Sequence, residues 1–113
     1  MSGLDRAEFE SFWERLDGEA LAAKFSQEAT IRLASFYGGL DQDDRAVVDA
    51  GLAEWVSGEN ARRRFDALAL IHEFEIRSAL PALRERMQSL AGAAEGPLAD
   101  ERARIERIVA ALS

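Results

Sequence analysis

Cysteine is absent from this sequence. That removes a disulfide framework and every thiolate metal site, and it fits a reducing compartment. Histidine occurs once, as His72, so no histidine pair can ligate a metal. His72-Glu73-Phe74-Glu75-Ile76 lacks the second histidine of a zincin motif. Lysine also occurs once, as Lys24, while arginine is frequent, a pattern of genomic composition rather than chemistry. The glycine clusters lack the Lys-Ser/Thr of a P-loop, and no serine sits in a nucleophile elbow. No uninterrupted apolar run approaches bilayer thickness. The start, MSGLDRAEFE, has neither the basic residues nor the apolar run of a signal peptide. These features place the chain in the cytoplasm, with no membrane partner, no cofactor, no metal and no catalytic residues expected.

What is present is hydrophobic residues at 48% and charged residues at 31%, over 113 residues. That suits one globular domain, 1–113, with a single core. The net charge is −7 and the pI is near 4.7. Phosphate backbones repel such a chain, so a nucleic acid is not the expected partner. The acidity is uneven: residues 1–59 hold thirteen Asp/Glu and five Lys/Arg, and residues 60–113 hold eight and nine. Charge balance alone favours a solvated surface here, with an acidic face for a basic partner as the functional alternative.

Apolar spacing predicts about six helices and no strand, an all-α chain. Asp5 and Glu8 form a capping box before a first helix with Phe9, Phe12, Trp13 and Leu16 on one face. Asp17-Gly18 is read as its end. A second helix runs from about 18 to 36 through Leu21, Ala22, Phe25, Ala29, Leu33 and Phe36, and Tyr37-Gly38-Gly39-Leu40 stops it. A third opens at Asp41–Asp44 and carries Val47, Val48, Leu52, Trp55 and Val56. Gly51 on that face predicts a close helix approach. The fourth, about 61–74, is apolar nearly all round and reads as central. The fifth carries Ile76, Leu80, Leu83, Met87 and Leu90, with Ser78 as its N-cap and Pro81 in its first turn. The sixth, about 98–112, turns Leu98, Ile105, Ile108, Val109 and Leu112 inward.

These helices form three antiparallel pairs, about 5–37, 41–74 and 76–112, a period that suits an α-solenoid. Ala67-Leu68-Ala69-Leu70-Ile71, followed by Arg77-Ser78-Ala79-Leu80-Pro81-Ala82-Leu83, resembles HEAT-type repeats. The resemblance covers one junction, about 65–90, and implies a short HEAT-like solenoid that binds proteins. The corner Glu75-Ile76-Arg77-Ser78 lacks the family's usual Asp/Gly-Pro turn, and the first pair has no matching motif. An ordinary helical bundle is the competing architecture.

The expected function is a small acidic protein-interaction module, not an enzyme, with a basic protein as partner. A concrete version is a bacterial immunity or antitoxin-type inhibitor. Its expected contact residues are Trp13, Tyr37, Asp41, Asp43, Asp44, Asp49, Glu54 and Trp55, aromatic hot-spot candidates beside rim charges. Arg62-Arg63-Arg64 is expected to pair with acids such as Asp41, Asp43 or Asp44. Two other classes stay open: an enzyme or small-ligand binder with a pocket at His72, Glu73 and Arg77, or a self-associating subunit such as a homodimer. Apolar neighbours at Phe65 and Leu68 predict a core or boundary position for His72. Pairs such as Glu10/Glu14, and Glu73 and Glu75 at the corner, read as solvated helix faces.

Overall fold

The structure, a computed structural model, describes residues 3–23 and 28–113, and describes no side chain within 20–29. Six helices occur among these residues, with no strand: α1 (Arg6–Ala23), α2 (Glu28–Gly38), α3 (Gln42–Val56), α4 (Ala61–Glu73), α5 (Leu80–Ser89) and α6 (Pro97–Leu112). The chain is all-α, as its periodicity predicts. None of these helices is long and apolar enough to cross a membrane. The chain divides into two compact units, Met1–Gly51 and Leu52–Ser113, and the boundary falls within α3.

In the first unit, α1 packs on α2. Asp5 caps α1: its Oδ1 accepts the Glu8 amide at 2.8 Å. Phe9, Trp13 and Leu16 are buried with Leu33, Tyr37 and Val48. Phe12 tilts against Phe36 with ring centroids 4.2 Å apart. Asp17-Gly18 does not end α1, contrary to expectation. The residues beyond it, Glu19-Ala20-Leu21-Ala22-Ala23, are strong helix formers, and one glycine costs only about 1 kcal/mol of propensity. The expected core positions Leu21, Ala22, Phe25 and Ala29 lie outside the described side chains. Gly51 does mark a close approach. A Cβ there would meet Phe9 Cε2 at 2.8 Å, so α1 lies against α3 where only glycine fits.

In the second unit, α6 packs on both α4 and α5. Asn60 caps α4, accepting the amides of Arg62 and Arg63 at 3.0 and 3.1 Å. The helix ends in a Schellman-type turn. Phe74 is the C-cap, Glu75 takes φ +52°, and the Ile76 amide reaches back to the Ile71 carbonyl at 3.0 Å. Glycine usually holds that left-handed position. Ile71 and Ile76, both buried, supply the apolar pair that accompanies this turn. A 3-10 turn, Arg77–Ala79, then leads into α5. Ser78 is therefore not the N-cap. Ala79 takes that place without a side-chain hydrogen bond, and Pro81 sits in the first turn, where no amide hydrogen is needed. Gly96, at φ +83°, and Pro97 open α6.

Burial departs from expectation on two faces. α4 is not covered all round: Phe65 is 48% exposed while its neighbour Asp66 is buried. Leu98 is 49% exposed, at the very start of α6, rather than inward. Ile105, Ile108 and Leu112 are buried, as their spacing predicts.

Candidate functional site

The starts of α1 and α3 bring carboxylates together. Asp41 caps α3 through the Asp44 amide at 2.8 Å. Asp44 Oδ1 in turn accepts the Leu4 amide at 2.9 Å, tying the strand of chain before α1 to the first turn of α3. Each helix start favours negative charge through its unsatisfied amides. The result is that Asp5 and Glu8 stand near Asp44. Repulsion from Asp5 comes first in raising the Glu8 carboxyl above its ordinary value, with a hydrogen bond to Asp5, a small loss of hydration and the charge of Asp44 adding to it. Asp5, Glu8, Asp41 and Asp43 are exposed and Asp44 is half-buried. Arg6, the nearest cation in sequence, is held by Glu10 at 3.0 Å. The contribution of Asp5 and Glu8 to this ridge is not legible in their spacing, which signals only a helix cap.

The aromatic residues expected at a contact surface are in the core instead. Trp13 is 2% exposed, and Tyr37 and Trp55 are each 4% exposed. The Tyr37 hydroxyl donates to Asp49 Oδ1 at 2.7 Å, so Asp49 is a satisfied partner of a buried phenol. Burial first, then that hydrogen bond and the charge of Asp49, push the Tyr37 hydroxyl well above its ordinary range. Arg45 lies 4.9 Å over the Tyr37 ring and donates to the carbonyls of Tyr37 and Gly38. Trp55 has the Arg63 guanidinium 4.9 Å over its ring. Glu54 is exposed near the end of α3. Of the eight expected residues, the structure brings Asp41, Asp43 and Asp44 together at one helix start and pairs Tyr37 with Asp49.

Within the arginine run, Arg64 finds other partners. Arg64 binds Glu101 Oε1 at 2.8 Å and the Gly58 carbonyl at 2.8 Å, not the acids of α3's first turn. Arg86 binds Glu101 Oε2 at 2.7 and 3.0 Å. One carboxylate thus ties α4, α5 and α6, and all three side chains are at most 17% exposed. Burial works to raise the Glu101 pKa, and the bonds and charges of Arg64 and Arg86 outweigh it, holding the carboxyl below its ordinary value. Spacing gave no hint of this centre, because its members lie 37 and 15 residues apart.

His72 is exposed, not a core residue, because it falls on the outer side of α4's last turn. Glu73 and Arg77 are exposed too. Arg77 reaches the Leu112 carbonyl at 3.3 Å and lies 3.9 Å from Glu75. Among the described residues, no group of three potential ligating side chains could hold a metal ion. No known family, no curated protein and no solved structure matches this chain.

Proposed function

We propose that this chain is a small acidic protein-interaction module that binds a basic protein through the carboxylate ridge of its first unit. The observation that carries this reading is the crowding of Asp5, Glu8 and Asp44. Their mutual repulsion raises the Glu8 carboxyl, so an arriving cation relieves repulsion that the free protein bears. The first unit holds eleven Asp/Glu against five Lys/Arg, which extends the field around the ridge. An immunity or antitoxin-type inhibitor of a basic toxin is one concrete form of this function. The burial of Trp13, Tyr37 and Trp55 moves the contact surface from aromatic anchors to charge. Binding of this kind is fast and salt-sensitive.

The same proposal keeps the HEAT-like architecture for the second unit. Support comes from α6, which packs on α5 and also on α4, as second helices of successive repeats do. The test is recovery of a basic partner from lysate by mass spectrometry, followed by titration with an Asp41/Asp43/Asp44→Asn variant. Asparagine keeps the capping oxygens and removes the charge. Weaker binding with a flatter salt dependence is expected. Unchanged affinity and salt dependence would remove the ridge from the interface.

A further inference from the structure

A groove of about 240 Å³ lies between α4 and α6 of the second unit, lined by Ala61, Phe65, Leu68, Asp100, Glu101 and Arg104. Phe65 is half-exposed at its edge. Leu98, also half-exposed, stands on the row that continues through Glu101 and Arg104 at i+3 spacing. Two large apolar side chains left open beside one concavity are more than single scattered exposures. The volume suits one aromatic or branched aliphatic side chain.

The polar end of the groove is specific. The Arg104 guanidinium lies 4.8 Å over the Phe65 ring. That contact holds the guanidinium in place and leaves its N–H donors, which lie in the guanidinium plane, unused. Among the described residues, neither Arg104 nor Arg107 has a carboxylate within ion-pair distance. Burial lowers the Arg104 pKa first and the charge of Arg107 adds to that, while Glu101 and Asp66 act against it. Both of those acids are committed: Glu101 is shared by Arg64 and Arg86, and Asp66 is buried. Asp100, one turn earlier on α6, also lines the groove and adds negative charge. The groove is therefore lined by apolar side chains with Arg104 as its one cation among the described residues, beside the committed Glu101 and the exposed Asp100.

We propose that this groove docks a partner segment presenting a carboxylate beside one large apolar side chain, the apolar group entering over Phe65 and Leu68 and the carboxylate meeting Arg104. Guanidinium and carboxylate suit each other as paired donors and acceptors. This surface has the opposite charge preference to the acidic ridge of the first unit.

The probe is 4-phenylbutyrate, with 4-phenylbutylamine as its cationic counterpart, titrated into the ¹⁵N-labelled full chain. The carboxylate is expected to give saturable amide shifts confined to the first two turns of α4 and to 100–107 of α6, and the amine little at equal concentration. Arg104→Gln is expected to weaken the carboxylate about tenfold, the loss of roughly one charge-assisted hydrogen bond, and to leave the amine unchanged. Unchanged helicity in that variant by circular dichroism separates loss of binding from loss of fold. Equal shifts from both probes, shifts elsewhere on the chain, or none at all would overturn the proposal. So would groove amides that shift on simple dilution, since the occupant would then be a second copy of this chain.

Discussion

The two units handle charge in opposite ways. The first concentrates carboxylates at helix starts, where backbone amides stabilise them and neighbouring carboxylates destabilise them. The second is nearly neutral, with ten Asp/Glu against nine Lys/Arg, and buries its central carboxylate between two guanidiniums. The first arrangement leaves net field outside the protein. The second consumes charge inside it. A chain with one strategy throughout would be either uniformly solvated or uniformly cross-tied. Here one unit carries the surface field, and the other is stiffened by ion pairs and leaves a mostly apolar groove.

The sharpest way to break this comparison is Glu101→Gln. Two half-buried guanidiniums would lose their shared counter-charge, and a loss of about 3 kcal/mol is expected in urea unfolding. The same carboxyl sets an acid limit. Its folded pKa lies below its unfolded value, so its stabilisation is complete above the ordinary carboxylate range. That stabilisation is lost as pH falls through the folded value, and the variant should show a flatter acid limb. Gly51→Ala comes next. The added methyl meets the fully buried Phe9 ring at 2.8 Å, and overpacking outweighs the gain in helix propensity by about 1 kcal/mol. A variant as stable as the parent would show that the approach of α1 to α3 is looser than the geometry indicates.

Glu75→Gly should act in the other direction, raising the thermal midpoint with a gain of about 1 kcal/mol, since the left-handed turn then carries no Cβ. The smallest effect sharpens the first unit. In Asp5→Asn the capping oxygen stays while the charge nearest Glu8 goes. The Glu8 carboxyl, followed by NMR, should fall towards its ordinary value. A Glu8 pKa that stays raised would locate the repulsion elsewhere and weaken the case for the ridge.

Much of the fold is legible in the sequence. Asp5 and Asp41 open helices, Gly51 admits a neighbouring helix, and Pro97 starts α6, because each of these signals acts within a few residues of itself. The misreadings are equally instructive. Asp17-Gly18 carries a stop signal that five following helix formers override. Ser78 is a good N-cap residue, displaced by a 3-10 turn that the Glu75 conformation sets up. Trp13, Tyr37 and Trp55 are as suitable for a core as for an interface, and no local pattern separates the two.

Sequence by itself determined that this chain is helical, acidic in its first half and without the residues for thiol or zincin chemistry. Helical periodicity, capping and composition are local properties, and they survive without knowing who packs on whom. Only the tertiary structure decided which charges are spent and which are left. Glu101 is spent on Arg64 and Arg86, and Asp49 on Tyr37. Asp5, Glu8 and Asp44 are left crowded, and Arg104 is left facing a groove. The physical reason is that a charge's role depends on its neighbours within a few ångströms, and packing brings those neighbours from distant parts of the chain.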